Sequence, residues 1–197
     1  MNRSAFFADL RRTLFAPALG YSQVTGTTAL LDVWDRLPAE HTADLRWLAY
    51  VLATVFHETG ARMIPVREIG YGRGKPYGVT DPVTHQVYYG RGPVQLTWRA
   101  NYETMGRVLS LDLVHHPDLA MLPTNGAAIA IEGMTQGRFT GHSLRMYFNP
   151  ATDDPVGARR IINGQDCAQL VAGYHVHMLA ALREAAAPGS ALGAPIS

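Results

Sequence analysis

The sequence predicts a mainly α-helical, single-domain protein. Apolar residues recur at three- and four-residue spacing along most of the chain. One such stretch is apolar enough to form the centre of a core, and glycine and proline crowd one segment, residues 60–96. A length of 197 residues supports one domain with a sizeable core rather than two. That domain is expected over residues 1–187, with a loose tail at 188–197, where small residues and proline dominate.

The opening stretch sets Phe6, Phe7, Leu10 and Leu14 among charges, which suits a short amphipathic helix. A second helix is expected from Ser22 to Leu37, with Leu30, Leu31 and Trp34 inward and Pro38 ending it. Thr42 or Asp44 can cap the next helix, on which Leu45, Leu48, Ala49, Leu52, Val55 and Phe56 share a face. This is the central helix, and Gly60 is its natural stop. Residues 60–96 read as loops, with a short hairpin around Val79 and Val87 to Tyr89. Tyr71, Tyr77, Tyr88 and Tyr89 argue against disorder there, so the segment is assigned a functional role. Helical spacing resumes at Trp98, Tyr102, Met105 and Leu109, and again from a cap at Thr124 past Ile129 toward Met134. Residues 141–155 read as loop or short helix, and a last helix runs from about Asp166 to Glu184.

Charge and composition remove several function classes. A formal net charge of +1 argues against nucleic acid as the main partner. No run of 18 apolar residues exists, so stable membrane insertion is not expected. Asp9, Arg11 and Arg12 interrupt what would be the apolar region of a signal peptide. Cys167 is the one cysteine, which rules out an intramolecular disulfide and a cysteine-rich zinc site; it is expected to be a small buried hydrophobe. His57-Glu58 is no zinc-protease motif, because position 61 is alanine. The run Gly70 to Pro76 fits no phosphate-loop spacing. No metal or other cofactor is expected, and the expected state is a monomer.

Chemistry concentrates in two acids and one motif. Glu58 falls in the last turn of the central helix, where carbonyl dipoles and apolar neighbours favour a protonated carboxyl, as a general acid requires. The same spacing also permits an exposed helix-end glutamate paired with Arg62. Glu68 lies ten residues later among glycines, where a carboxylate can stay ionised. Paired carboxyls in unlike environments are what glycoside hydrolysis needs. The segment YYGRGPVQLTWRANY, Tyr88 to Tyr102, joins tight glycine turns to the amides and hydroxyl of Gln95, Asn101 and Thr97. Amides, hydroxyls and aromatic faces such as Tyr89 suit acetamido sugars. Arg159 and Arg160 are candidates for an anion, or Arg160 for bracing the cleft glutamates.

FHETG at 56–60, YYGRGPVQLTWRANY at 88–102, LVHHPDLA at 113–120 and RRIING at 159–164 resemble, in this order, the motifs of glycoside hydrolase family 19. The resemblance implies a lysozyme-like, two-lobed helical domain whose glycine-rich loops line a cleft. It implies an inverting mechanism with Glu58 as acid, Glu68 as base and Thr97 holding the attacking water. It also implies substrate contacts from His57, Tyr89, Gln95, Asn101, Asn163 and Arg160. The interval between the acids is shorter than in the plant chitinases, and their bracing cysteines are missing. The compact form resembles phage and prophage endolysins, so the expected substrate is bacterial cell-wall peptidoglycan, with chitin as the alternative and an inactive glycan-binding module as the rival of another class. An endolysin of this form would be made in the cytoplasm and reach the wall through a pore or a secretion machine.

Overall fold

The computed structural model describes residues 1–187; the tail expected at 188–197 lies outside the described residues. The chain forms α1 (Arg3–Thr13), α2 (Tyr21–Trp34), a single turn α3 (Ala39–Thr42) and α4 (Leu45–Glu58). Strand β1 (Val66–Arg67) follows, then β2 (Arg91–Gly92), α5 (Arg99–Leu109) and α6 (Pro123–Gln136). A second cluster holds α7 (Leu144–Tyr147), β3 (Phe148–Asn149) and β4 (Thr152–Asp153), before the long α8 (Ala168–Ala186).

α4 is the centre, as its spacing predicts. Every residue from Trp47 to Phe56 is buried. A helix apolar on all sides must be covered on all sides, and α8, α2 and α6 all pack on it, α8 most extensively. Asp44 caps its start by accepting from the Arg46 amide at 3.0 Å. Gly60, with φ +57°, turns the chain away at its end. α1 packs on α8 and α2 on α6, which encloses the core named by Phe6, Leu10, Leu30, Leu31, Trp34, Tyr50 and Tyr102. Gly26 of α2 lies against the segment between α4 and β1, so close that a methyl group there would overlap the Met63 carbonyl.

The expected hairpin around Val79 and Val87 to Tyr89 is corrected. The pairing is instead Val66 with Gly92 and Arg67 with Arg91, antiparallel, closing a long excursion between them. Arg91 also pairs with Leu96, five residues on, so β2 takes one backbone partner from distant sequence and one from nearby. Thr124 is not a cap. Pro123 occupies the first turn of α6, where a missing N–H costs nothing. Cys167 is exposed rather than buried, and it takes a left-handed conformation just before α8. Two histidines two residues apart on α8 face different ways: His175 is buried and His177 is exposed. Among the described residues, no helix is long and apolar enough to cross a membrane.

Candidate active site

Glu58 is the last residue of α4, so its carboxyl emerges where the buried helix meets the surface. The helix end is tied off by Thr59. Its buried hydroxyl donates to the Val55 carbonyl at 2.7 Å and accepts from the Met63 amide at 2.9 Å. Gly60, Ala61 and Met63 all take positive φ in the turn that follows. For Ala61 and Met63 that conformation is unfavourable, and such backbone strain clusters at functional sites.

The partner of Glu58 is Arg159, neither Arg62 nor Arg160. Arg159 Nη1 donates to Glu58 Oε1 at 2.6 Å, from a guanidinium whose residue is 2% exposed. Its Nε donates to the Asp166 carbonyl at 2.8 Å, which fixes the fork from behind. The surroundings expected for this carboxyl, helix-end carbonyls and apolar neighbours or an ion pair with Arg62, are therefore corrected: a buried cation, Arg159, stands against one of its two oxygens. Arg160 contributes to the same turn through its backbone, where its carbonyl accepts from Thr140 at 2.7 Å.

Glu68 directly follows β1, and its amide extends the strand pairing by donating to the Gly90 carbonyl at 2.8 Å. Its side chain turns back to the same residue, so that the Gly90 amide donates to Oε2 at 3.0 Å. The Tyr77 hydroxyl donates to Oε1 at 2.8 Å. That bond, with some desolvation, holds the Tyr77 phenol above its ordinary value.

Gly90 is the point of convergence. A methyl group there would lie 2.7 Å from Gln95 Oε1, 3.3 Å from Glu68 Cβ and 3.3 Å from Thr97 Oγ1. Only glycine lets those three side chains meet over the backbone. Gln95 holds its position at φ +55° by donating to the carbonyls of Val66, at 3.0 Å, and Gly92, at 3.2 Å. Thr97 donates to the Gln95 carbonyl at 2.8 Å, so its oxygen retains lone pairs for a further donor.

Glu58, Arg62, Arg67, Glu68, Ile69 and Gln95 line one open cleft of about 430 Å³. Both acids predicted from sequence therefore face the same space. A larger hollow of about 550 Å³ lies at the opposite end of α4, among Asp44, Arg46, Trp47 and Arg183. Its lining carries Glu40 and Asp44, with Asp44 bonded to Arg46 at 2.6 Å, but no residue of the Tyr88 to Tyr102 motif.

The remaining predicted contacts are placed apart from the cleft wall. His57 points toward Tyr174 of α8, with ring centroids 6.4 Å apart. Tyr89 is 8% exposed, with the Arg91 guanidinium stacked 3.6 Å from its ring centroid. Arg91 in turn bonds Asp118 at 2.7 Å, and Asp118 bonds Arg67 at 2.6 Å. Tyr89 thus belongs to the frame that carries β1 and β2 rather than to an open sugar face. Asn101 donates to the Thr97 carbonyl at 2.8 Å, which steadies the start of α5 behind Thr97. Asn163 is exposed, and its amide donates to the Arg159 carbonyl at 3.0 Å, at the edge of the turn that delivers Arg159. Sequence reasoning named Arg159 only as an anion candidate beside Arg160 and missed its pairing with Glu58; it also missed the contacts that Tyr77 and Gly90 make to Glu68. The doubled arginine and the tyrosine between prolines and glycines were visible, but not which side chain turns inward. Exposed faces near Glu68 come from Tyr71, 59% exposed, and Trp98, 49% exposed. Among the described residues no cluster of three or more histidine, cysteine, aspartate or glutamate side chains could hold a metal ion.

Comparison with known proteins finds similarity to one group of enzymes. Residues 76–138 match the family model of glycoside hydrolase family 19, chitinase class I. An endochitinase of Arabidopsis thaliana is 40% identical over 129 residues, 64% of this chain and 42% of that protein. The chain thus spans less than half the length of that relative. Among solved structures, chitinase C of Streptomyces griseus superposes with a TM-score of 0.58 at 20% identity, covering 91% of this chain and 75% of that one. A bacterial family 19 chitinase gives 0.52 at 24% identity, over 89% of this chain and 93% of the other. The likeness to these structures establishes the fold, a mainly helical one of the lysozyme-like kind. Glu58 and Glu68 precede the residues matched by the family model, so their geometry is independent of that match.

Proposed function

We propose, from the match of residues 76–138 to glycoside hydrolase family 19 and the two acids that share one cleft, that this chain hydrolyses the β-1,4 bonds of N-acetylglucosamine polymers, with chitin oligomers as the first substrate. The observation that carries the reading is the arrival of Glu58, from the end of α4, and Glu68, from just after β1, in one cleft, each with a different kind of partner. The sequence favoured peptidoglycan; the relatives are chitinases, which supports chitin as the substrate instead.

In this reading Glu58 is the general acid. Arg159 engages Oε1 of the resting carboxylate; a proton taken up on the other oxygen before reaction is the one passed to the glycosidic oxygen as the bond to the leaving sugar breaks. Glu68 is the general base. Its two protein donors use two of roughly four acceptor positions, which leaves room for a water proton. That water gives one proton to Glu68, directs its second to the Thr97 oxygen, and attacks the anomeric carbon from the face opposite the leaving group. The sugar configuration inverts, as expected when the second carboxyl activates water rather than attacking. Gln95 and the exposed rings of Tyr71 and Trp98 supply amide and stacking contacts to the acetamido sugars.

The test uses purified protein with N-acetylglucosamine oligomers and, separately, purified peptidoglycan. Cleavage of the oligomers with the α-anomer as first product is expected. Glu58→Gln should lower the rate by at least about 10²-fold with the fold retained by circular dichroism. New reducing ends from peptidoglycan alone would return the substrate to the cell wall. Oligomer binding without turnover in either form would replace the enzyme by a glycan-binding module.

A further inference from the structure

We propose that Tyr77 is a positioning residue for Glu68: its phenol and the Gly90 amide hold the two oxygens of that carboxylate from opposite sides, and so aim the base. The inference rests on the reading of Glu68 as base and deepens it. Glu68 sits beyond a two-residue strand in a glycine-rich loop, with no helix to orient it. A carboxylate on such a segment can rotate about its last bonds unless its oxygens are held. The structure provides the hold from two independent places, Tyr77 Oη at 2.8 Å on Oε1 and Gly90 N at 3.0 Å on Oε2.

The loop that presents Tyr77 is built for that purpose. Tyr77 lies in a 3₁₀ turn, Pro76–Gly78, where proline presets the backbone. The Lys75 amide donates to the Gly72 carbonyl and the Gly78 amide to the Lys75 carbonyl, both at 2.9 Å, so the loop is tied to itself. Gly72 and Gly78 touch: a methyl group on Gly78 would overlap the Gly72 carbonyl. On its free side the Tyr77 ring meets Trp98 edge to face, with centroids 5.2 Å apart. The phenol is therefore fixed by the loop behind it and an indole beside it, and only its hydroxyl addresses the acid. Nothing else in the Tyr77 surroundings needs that hydroxyl.

Tyr77→Phe removes the hydroxyl and keeps the ring against Trp98. Turnover of N-acetylglucosamine oligomers should fall about tenfold or more, with KM changed less than about twofold, the pattern of a lost interaction with the reacting machinery. In a Glu68→Ala background the same substitution should have no further effect. Gly78→Ala should reproduce the turnover loss without touching the phenol. A readout independent of activity closes the test: the Tyr77 ring carbon resonance of ¹³C-tyrosine-labelled protein should titrate above the ordinary value of about 10, and return to it in Glu68→Ala. Wild-type turnover in Tyr77→Phe, or an equal loss in both backgrounds, overturns the proposal. Unchanged activity in Glu68→Ala instead overturns Glu68 as base, and if the oligomers are not substrates the tyrosine titration still decides whether Tyr77 holds Glu68.

Discussion

Glu58 ends a helix in which every residue from Trp47 to Phe56 is buried, and a guanidinium on a residue 2% exposed grips its carboxyl from the side. Glu68 follows a two-residue strand, and one phenol and one backbone amide hold it. One wall of the cleft takes its rigidity from core packing and a part-buried ion pair. The other takes it from glycines that let backbone and side chains crowd together. The difference teaches that a site can be assembled from one expensive anchor and one light one. Damage to the first should unfold the protein, and damage to the second should misalign it.

The largest effect expected is on the heavy side. Arg159→Ala leaves the Glu58 carboxylate in a part-buried position without its cation, and breaking such a pair costs about 3 kcal/mol. Urea unfolding should show the loss together with a fall in turnover; an unchanged midpoint would mean that the pair is not an anchor. Acid should attack the same frame. Burial holds the His175 imidazole down to about 4 from its ordinary 6.5. His175 packs between Tyr50 of α4 and Phe148, at ring distances of 5.7 and 5.2 Å. The unfolded chain takes up that proton below about 6.5 and the folded chain only near 4, so stability fully present above 6.5 declines as pH falls toward 4. The loss reaches on the order of 3 kcal/mol, and His175→Leu should flatten that part of the thermal-melting profile.

Smaller effects belong to the light side and to the seam between the two. Gly90→Ala pushes against Gln95, Glu68 and Thr97, and should cost about tenfold in turnover while the melting temperature stays within a few degrees. A large drop in melting temperature would show that Gly90 serves the fold rather than the site. Thr59→Val removes the hydroxyl that joins Val55 to Met63 and should cost about 1 kcal/mol. If turnover falls in step with stability, the turn after α4 matters only as a fastener. If it falls much further, the turn also sets where Glu68 stands.

The helical frame was legible because it depends on local spacing. The face of Leu45, Leu48, Leu52, Val55 and Phe56 located α4, and the glycine after it located Glu58 at an exposed end. Glu68 was legible as an acid among glycines, and Gln95 and Thr97 as the amide and hydroxyl of the Tyr88 to Tyr102 motif; that they meet over Gly90 was not. What was hidden depends on contacts across the chain or on register within a short turn. The pairing of Val66 with Gly92 closes a long loop and leaves no alternation to read. Whether Arg159 or Arg160 turns inward is decided by the 3₁₀ geometry of Gly157–Ile161, which no residue pattern in RRIING reveals. Tyr89 carries the same aromatic signal as a sugar platform, yet Arg91 covers it. Cys167 looked like core filler because composition cannot see that its backbone takes φ +55°.

The missing side chain at position 26 reaches further than helix packing. Because α2 rests directly on the Met63 carbonyl, it acts as a stop that sets how far the chain travels between Glu58 and β1. Bulk added there would wedge that stretch outward and shift β1, with Glu68 behind it, relative to α4. Each acid would keep its own partner, Arg159 for one and Tyr77 for the other, while the gap across which they must act on a single bond would change. Such a variant would fail by misfit alone, with every reactive group intact.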